Sequence, residues 1–305
     1  MVSLRQFEYF VTVVDEGSFT RAAEILGVSQ PGLSHQIQSL EREMGGPLLE
    51  RLPRKVRLTP AGRTAIPHAR ASLAHAERAS SSARRASGIA TGELHIGTLF
   101  SISIGVLPRA LSEWRRSYPG LQAHLVEFRH SDDLVQAMEA GQADVAVGPV
   151  PPGWDGPIRP IGSEEFVIIA PRGSGLDDHA PTMRLSELAD REWVHFTPHS
   201  GLSNILDAAC EAAGFEPIVS VRTEQSPSAL NLAAAGLGVT LVPGNIVPQH
   251  FPGLVFRCEP PVERPLAVYT RVRPDPITAA FVEAIADKTF VNPSHIRRRL
   301  SPRPE

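Results

Sequence analysis

The sequence predicts a chain with two folds: an all-α-type winged helix-turn-helix at the N-terminus and, after a long linker helix, a two-lobed α/β domain. Three observations predict this division. The 305 residues are more than one ordinary hydrophobic core needs. Apolar residues recur three and four positions apart in three short segments before residue 45. After Gly92, short apolar runs alternate with amphipathic stretches, which is typical of strands that alternate with helices.

The first three segments carry the start and stop signals of short helices. Residues 4–16 place apolar side chains on one face, and Gly17 ends that segment. Ser18 is positioned to cap a second helix and Ser29 to cap a third, in whose first turn Pro31 is tolerated. The apolar face of the third helix consists of Leu33, Ile37, Leu40 and Met44. Its polar face carries Gln30, Ser34, His35, Gln38 and Arg42.

A basic wing and a linker helix follow. Residues 48–58 read as two short strands around a basic turn, which completes a winged helix-turn-helix at residues 1–60. Thr59-Pro60 starts a helix that forms the linker at 61–90, and Pro67 should kink it. A seam of mostly small residues runs along this helix: Ile66, Ala69, Leu73, Ala76, Ser80, Ala83 and Ser87. The seam favours helix–helix contact in a dimer, but it also suits packing against the body of the same chain.

The α/β domain is predicted at residues 91–291. Its apolar runs lie at 94–97, 143–147, 166–170 and 239–242. Runs of this kind indicate a mainly parallel sheet that is buried on both faces. We expect lobe I to comprise about 91–160 and 246–291, and lobe II about 161–245. Residues 292–305 are basic and rich in proline, so we expect a disordered tail.

Charge and cysteine usage narrow the class of protein. Residues 1–90 hold 12 Lys and Arg against 8 Asp and Glu, whereas the rest of the chain holds 18 against 25. This asymmetry suggests that the N-terminal end meets a polyanion. Cys210 and Cys258 lack metal-ligand spacing, so we expect reduced thiols that act as small apolar residues. Without a signal segment or a run of 18 apolar residues, we expect a cytoplasmic protein with no membrane contact.

Several motifs of fixed spacing occur in the first 62 residues. They are Gly17-Ser18-Phe19-Thr20-Arg21-Ala22-Ala23-Glu24, Val28-Ser29-Gln30-Pro31, Ser34, Ile37, Leu40-Glu41, Pro47-Leu48, Glu50-Arg51 and Leu58-Thr59-Pro60-Ala61-Gly62. With these motifs the chain resembles the LysR-type transcriptional regulators, densely over residues 1–65 and more loosely to about 245. The resemblance implies a DNA-binding regulator that forms a homodimer or homotetramer. It also implies that the larger domain folds like the periplasmic small-molecule binding proteins and binds a small-molecule effector.

The polar face of the third helix offers the groups that recognition of DNA needs. A helix fits the major groove, where Gln30 can form two hydrogen bonds with adenine and Pro31 can pack on a thymine methyl. Basic residues at the wing tip can neutralise phosphates. We predict DNA contacts at Gln30, Pro31, Ser34, His35, Gln38, Arg54 and Lys55. His35 departs from the family pattern, in which many members have arginine; a neutral histidine lacks the fixed charge and the two-pronged donor of arginine.

The effector site is expected where the two lobes face each other, at the carboxyl ends of parallel strands. Hydroxyls and backbone N–H groups at helix starts would suit an anion there. From this loop chemistry and the family's positions we predict effector contacts at Ser101, Ser103, Ser131, Thr197 and His199. The hydroxyl residues would also serve as ordinary helix caps. Asp132 and Asp133 would sit poorly beside a carboxylate, so the effector's charge stays open.

The rival class is an enzyme, because an α/β domain with eleven histidines could hold a catalytic site. The histidines are scattered, however, and Gly-Xaa-Ser-Xaa-Gly, His-Glu-Xaa-Xaa-His and nucleotide-binding glycine loops are absent from the sequence. We therefore predict no catalytic residues, no cofactor and no metal. A protein that senses a ligand without regulating a gene is a third class. The predicted partners are double-stranded DNA at an inverted repeat near a promoter, a small-molecule effector, further copies of the chain, and RNA polymerase.

Overall fold

A computed structural model describes residues 1–52, 55–86, 92–286, 291 and 293–300. The chain forms two compact units, Met1–Ala83 (unit 1) and Arg84–Glu305 (unit 2). No helix in the described part of the chain is both long enough and apolar enough to cross a membrane.

Unit 1 is a winged helix-turn-helix, as predicted. Its elements are α1 (Leu4–Glu16), α2 (Phe19–Leu26), α3 (Gln30–Glu43), β1 (Leu49–Leu52), β2 (Lys55–Leu58) and α4 (Pro60–Ala86). The side chains of Ser18 and Ser29 accept hydrogen bonds from the first turns of α2 and α3, which is why those helices start there. Gly17 and Gly27 end α1 and α2 with φ of 60° and 65°, a left-handed conformation that favours glycine.

Helix α4 contributes to the core of unit 1. Ala69 is fully buried in that core, and Ile66 packs against it. These two positions of the predicted seam therefore pack against the body of the same chain, which was the alternative to dimerisation. Leu73 and Ala76, further along, are only half-buried. Pro67 lies inside this single helix, and Ser87 lies outside the described residues.

Unit 2 is an α/β structure with two hydrophobic cores. Its strands are β3 (Gly92–Leu99), β4 (Leu121–Phe128), β5 (Val145–Pro149), β6 (Ile158–Ala170), β7 (Thr182–Met183), β8 (Glu192–Phe196), β9 (Ile218–Thr223), β10 (Thr240–Pro243) and β11 (Leu254–Tyr269). Its helices are α5 (Phe100–Gly105), α6 (Leu107–Ser117), α7 (Ser131–Glu139), α8 (Gly201–Ala212), α9 (Ser226–Ala234), α10 (Pro276–Ile285) and α11 (Ser294–Arg299).

The main sheet of unit 2 is mixed rather than mainly parallel. Its strand order is β10-β6-β11-β5-β3-β4, with β7 pairing β11. Strands β3, β4 and β5 are parallel, as expected, but β11 runs antiparallel to both β5 and β6. The two antiparallel strands are long, 13 residues for β6 and 16 for β11, and they extend through both lobes.

The two cores place the lobe boundaries differently from the sequence-based expectation. The predicted return to lobe I at residue 246 is wrong, because Val247, Phe251 and Val255 still pack in the core of lobe II. The chain rejoins the core of lobe I only at Leu266. The physical reason is that β11 first pairs with the lobe II half of β6 and crosses to lobe I afterwards.

The predicted disordered tail is also wrong over Ser294–Arg299, which form α11. Ile296 and Leu300 are 3% and 1% exposed and belong to the core of lobe II. The ring Nε2 of His295 lies 2.8 Å from the carbonyl oxygen of Val247. Burial of two apolar side chains thus holds this basic segment in place. Residues 292 and 301–305 lie outside the described residues.

Candidate functional sites

The first candidate site is the exposed face of α3 in unit 1. Leu33, Ile37 and Leu40 are fully buried, so that one side of the helix is fixed against the core. The opposite side carries the predicted DNA contacts Gln30, Pro31, His35 and Gln38, which are exposed, and Ser34, which is partly exposed. The structure therefore brings five of the seven predicted DNA contacts together on one accessible helix face.

The base of the wing is fixed to α3 by one carboxylate. Glu41 Oε1 accepts hydrogen bonds from the backbone N–H groups of Leu48 (2.9 Å) and Leu49 (3.1 Å). The hydroxyl of Thr59 donates to the carbonyl of Pro47 at 2.7 Å. Because these bonds join the end of α3 to the start of β1 and of α4, the wing and the helix face keep a defined separation.

Of the two DNA contacts predicted on the wing, the structure describes only Lys55. Lys55 begins β2, and its backbone lies opposite Leu52 of β1. Arg54 lies outside the described residues. Arg57, which the sequence reasoning did not select, has an exposed side chain on β2. Its place in the basic run 54–57 could have indicated that Arg57 also contacts DNA.

The second candidate site is a cleft between the lobes of unit 2, with a cavity volume of about 50 Å³. Lobe I contributes the end of β3, the end of β4 and the starts of α5 and α7; lobe II contributes the starts of α8 and α9. The lining residues are Leu99, Phe100, Ser101, Phe128, Arg129, Ser131, His199, Ser200, Gly201, Leu202, Glu224, Gln225, Ser226 and Arg264.

Three of the five predicted effector residues line this cleft, namely Ser101, Ser131 and His199. The other two are not among the lining residues. The hydroxyl of Ser103 donates to the carbonyl of Phe100 at 2.9 Å and also contacts the carboxylate of Glu127. Thr197 lies one turn before α8, with its hydroxyl oxygen buried. Proximity in sequence to a lining residue was therefore insufficient to place a side chain in the cleft.

The structure shows which of the serines that line the cleft cap a helix and which do not. Ser200 is a true cap of α8, since its hydroxyl accepts from Leu202 N at 3.4 Å. Ser101 and Ser131 lie inside the first turns of α5 and α7, whose capping positions are Leu99 and His130. For these two lining serines, the alternative of an ordinary cap is excluded.

One lining residue, Arg264, belongs to an ion pair between β6 and β11. Arg264 of β11 lies opposite Glu164 of β6, and Arg264 Nε donates to Glu164 Oε1 at 2.5 Å. Asn245 Nδ2 donates to the other carboxylate oxygen at 3.1 Å, and Glu164 is fully buried. The guanidinium also lies 5.6 Å from the ring centre of Phe166. Sequence reasoning missed Arg264, because no local pattern links it to lining residues more than 35 positions away.

An ion pair and a backbone hydrogen bond connect the two lobes at the cleft. Arg129 follows β4, and its guanidinium lies 3.3 Å from the carboxylate of Glu224, which follows β9. The backbone N–H of Gly201 donates to the carbonyl of Arg129 at 3.2 Å. Both side chains of the ion pair are about half exposed. Such a pair contributes little stability by itself, about 0–1 kcal/mol, and salt screens it.

The cysteines do not form a third site. Burial raises the pKa of both the Cys210 and the Cys258 thiol to about 12. Both thiols therefore stay protonated and weakly nucleophilic at neutral pH. In the described part of the chain, no three His, Cys, Asp or Glu side chains are placed to hold a metal ion.

Two family models match the two parts of the chain. A family model for the bacterial regulatory helix-turn-helix protein, lysR family, matches residues 4–63. A second model, for the LysR substrate binding domain, matches residues 87–289. Together the two models cover most of the chain, so the chain belongs to the LysR family of transcriptional regulators.

Individual relatives extend the similarity over the whole chain. The regulator IlvR of Caulobacter vibrioides is 30% identical over 251 residues, which are 80% of this chain and 83% of IlvR. The regulator BudR of Raoultella terrigena is 33% identical over 268 residues, which are 84% of this chain and 89% of BudR. Full-length CbnR in complex with its target DNA superimposes with a TM-score of 0.74 at 27% identity, covering 98% of this chain and 100% of CbnR. The protein is a transcriptional regulator with a helix-turn-helix DNA-binding domain and an effector-binding domain, and its partners are DNA, a small-molecule effector and further copies of the chain.

Proposed function

We propose that the protein regulates a promoter by inserting α3 into the major groove, with Gln30, Pro31, Ser34, His35 and Gln38 facing the bases and phosphates. The observation that carries this proposal is the division of α3 into a fully buried apolar side and an exposed polar side. A helix of this kind can enter the groove without exposing its core residues. Lys55, which begins β2, and Arg54, which precedes it in the sequence, would contact phosphates and so contribute affinity without sequence preference.

We propose that two copies bind the two halves of an interrupted inverted repeat. The half-buried part of α4 beyond Ala69, with Leu73 and Ala76, supports this, because it offers small apolar residues that the core of unit 1 does not cover. Dimers of winged helices place two recognition helices one or more turns of DNA apart. A tetramer would bind two such sites.

We propose that the effector binds in the cleft and changes how the protein engages DNA and RNA polymerase in the cytoplasm. Support comes from the composition of the lining, which draws on both lobes. A ligand that contacts both lobes can favour one arrangement over another, and only such a difference in affinity can shift the equilibrium. We assign the cleft a binding role without catalysis. Among the described lining residues, His199 makes no hydrogen bond to a serine, so no activated nucleophile is assembled there.

The first test is a competition gel shift with the DNA upstream of the protein's own gene against random duplex of equal length. Gln30→Ala should weaken specific binding about 5- to 100-fold, the range that one two-pronged base contact contributes, and should leave non-specific binding unchanged. Gln36→Ala is the matched control, because Gln36 is exposed on the same helix but lies away from that face. Equal losses in the two variants, or no preference of the native protein for the upstream DNA, would contradict the proposal.

A further inference from the structure

The structure bears on the effector's charge, which the sequence left open. Asp132 and Asp133 are exposed on α7 and are not among the residues that line the cleft. Glu224 is the only carboxylate among the described lining residues, and its charge is offset by Arg129 at 3.3 Å. The acidic residues that argued against an anionic ligand are therefore either outside the cleft or neutralised.

Arg264 presents guanidinium N–H donors to the cleft, with its charge offset by Glu164. Its side chain is 14% exposed, while its partner Glu164 is fully buried and lies behind it, outside the lining. A guanidinium has five N–H donors, which is more than one carboxylate uses. Nε and Nη2 of Arg264 both contact Glu164 Oε1, which leaves the two N–H groups on Nη1 for a ligand. Spare donors on a rigid, partly buried arginine suit the planar oxygens of a carboxylate.

Two serine hydroxyls of the cleft lining have no hydrogen-bond partner among the described residues. Ser101 and Ser226 are 4% and 3% exposed, come from opposite lobes, and make no hydrogen bond within the described part of the chain. Both serines line the cleft, so their hydroxyls can donate to the acceptor atoms of a ligand. Ser226 also opens α9, whose capping residue Gln225 makes no side-chain cap hydrogen bond; Pro227 has no N–H, so Ser226 and Ser228 supply the first backbone N–H groups of this helix. Those groups add positive potential at the same place.

Four further lining residues are apolar. Leu99 and Leu202 are buried, and Phe100 and Phe128 present aromatic surface from lobe I. An inorganic anion would leave this apolar surface without contacts, whereas a hydrocarbon group would bury it.

We propose that the effector is a small organic monocarboxylate with an apolar body. Its carboxylate accepts hydrogen bonds from Arg264 and from the hydroxyls of Ser101 and Ser226, and its apolar body packs between Phe100 and Phe128. The proposal rests on the cleft being the effector site. It specifies the chemistry that the cleft selects, with Arg264 as the residue that distinguishes an acid from its neutral analogue.

The test uses the full-length protein and a series of defined probes. The probes are the straight-chain monocarboxylates from acetate to hexanoate, benzoate, the primary amide of each acid, and inorganic phosphate. Thermal unfolding, followed by titration calorimetry of any probe that stabilises, gives the dissociation constant. We expect at least one acid to bind with a Kd at least tenfold lower than that of its amide, and phosphate to bind more weakly than that acid.

The variants separate loss of recognition from loss of folding. Removing Arg264 alone would leave Glu164 charged and buried, so the double variant Glu164→Gln/Arg264→Gln removes both charges and keeps a polar side chain at each position. Glu165→Gln/Arg257→Gln is the matched control, because Arg257 and Glu165 form an ion pair between the same two strands and neither lines the cleft. The cleft variant should raise the Kd of the acid at least tenfold, and the control should change it less than twofold.

Several results would overturn the proposal. They are equal binding of acids and amides, phosphate binding as tightly as the best acid, retention of acid binding by the Glu164→Gln/Arg264→Gln variant, and no binding of any probe. In each of these cases the gel shift on upstream DNA still reports the proposed regulatory function separately, since Gln30 and the cleft lie in different units.

Discussion

Glu41 offers a sharp test of how the wing is held against the recognition helix. Its Oε1 accepts from the N–H groups of Leu48 and Leu49, whose side chains are 2% and 6% exposed. In Glu41→Ala both N–H groups lose their acceptor. A hydrogen bond to a charged group contributes about 1.5–3 kcal/mol. Because position 41 is only half-buried, water can reach the two N–H groups in the variant and replace part of the lost bonds. We therefore expect unit 1 to lose about 2–4 kcal/mol of stability. Glu41→Gln keeps an oxygen acceptor and should lose about 1 kcal/mol.

The positions of the tryptophans allow the stability of unit 1 to be measured in the intact protein. Trp114, Trp154 and Trp193 all lie in unit 2, so tryptophan fluorescence reports on that unit alone. Far-UV circular dichroism reports on both units. In urea, Glu41→Ala should lower the midpoint of a transition seen by dichroism and leave the fluorescence transition unchanged. An unchanged dichroism midpoint would refute the reasoning. So would a loss in Glu41→Gln as large as that in Glu41→Ala, because the acceptor oxygen would then not be the cause.

Three further predictions follow from burial. Gly62→Ala would place a Cβ 2.0 Å from the carbonyl oxygen of Leu48, so we expect unit 1 to lose about 3 kcal/mol in the same dichroism experiment. Ile37→Ala empties a fully buried position and should cost about 2–5 kcal/mol, while Gln36→Ala stays within about 0.5 kcal/mol. Cys210 and Cys258 should react with a thiol reagent at pH 8 only after unit 2 unfolds. Because burial raises their pKa from an ordinary value of 9 to about 12, the contribution of these thiols to the stability of unit 2 should be constant below pH 9 and be lost between pH 9 and 12. A reagent that labels the native protein as fast as the unfolded one would contradict the burial of both thiols.

Local signals predicted unit 1 almost completely. Ser18, Ser29 and Thr59 each sit at a helix start, and each forms the predicted hydrogen bond to its first turn. Caps, turn glycines and periodicity act within a few residues, so they can be read from neighbouring positions. The exposed face of α3 followed from the same periodicity, because burial of Leu33 and Ile37 leaves the polar side outward.

Unit 2 was harder because its defining contacts are distant in sequence. Strand β11 contains three prolines within 16 residues, and they hide its strand character. Its pairing with β6 spans about 100 residues and depends on tertiary packing, which no window on the sequence can detect. The late return to lobe I, the mixed sheet and the position of Arg264 in the lining of the cleft all result from this one pairing. Ser101 could be predicted because it follows a recognisable strand, whereas Ser131 was predicted from its helix start and from the family's positions.

The two cleft serines should differ in how they affect regulation, because they belong to different lobes. A contact made only with Ser101, in lobe I, stabilises every arrangement of the lobes equally and shifts none of them. A contact with Ser226, in lobe II, exists only when the lobes lie close together, as they do here with Gly201 bonded to Arg129. At saturating concentrations of the acid that binds best, Ser101→Ala should therefore preserve the effector-dependent change in DNA affinity, although more acid is needed. Ser226→Ala should reduce that change itself. Equal residual changes in the two variants, measured by gel shift at saturation, would mean that closure across the cleft does not carry the signal.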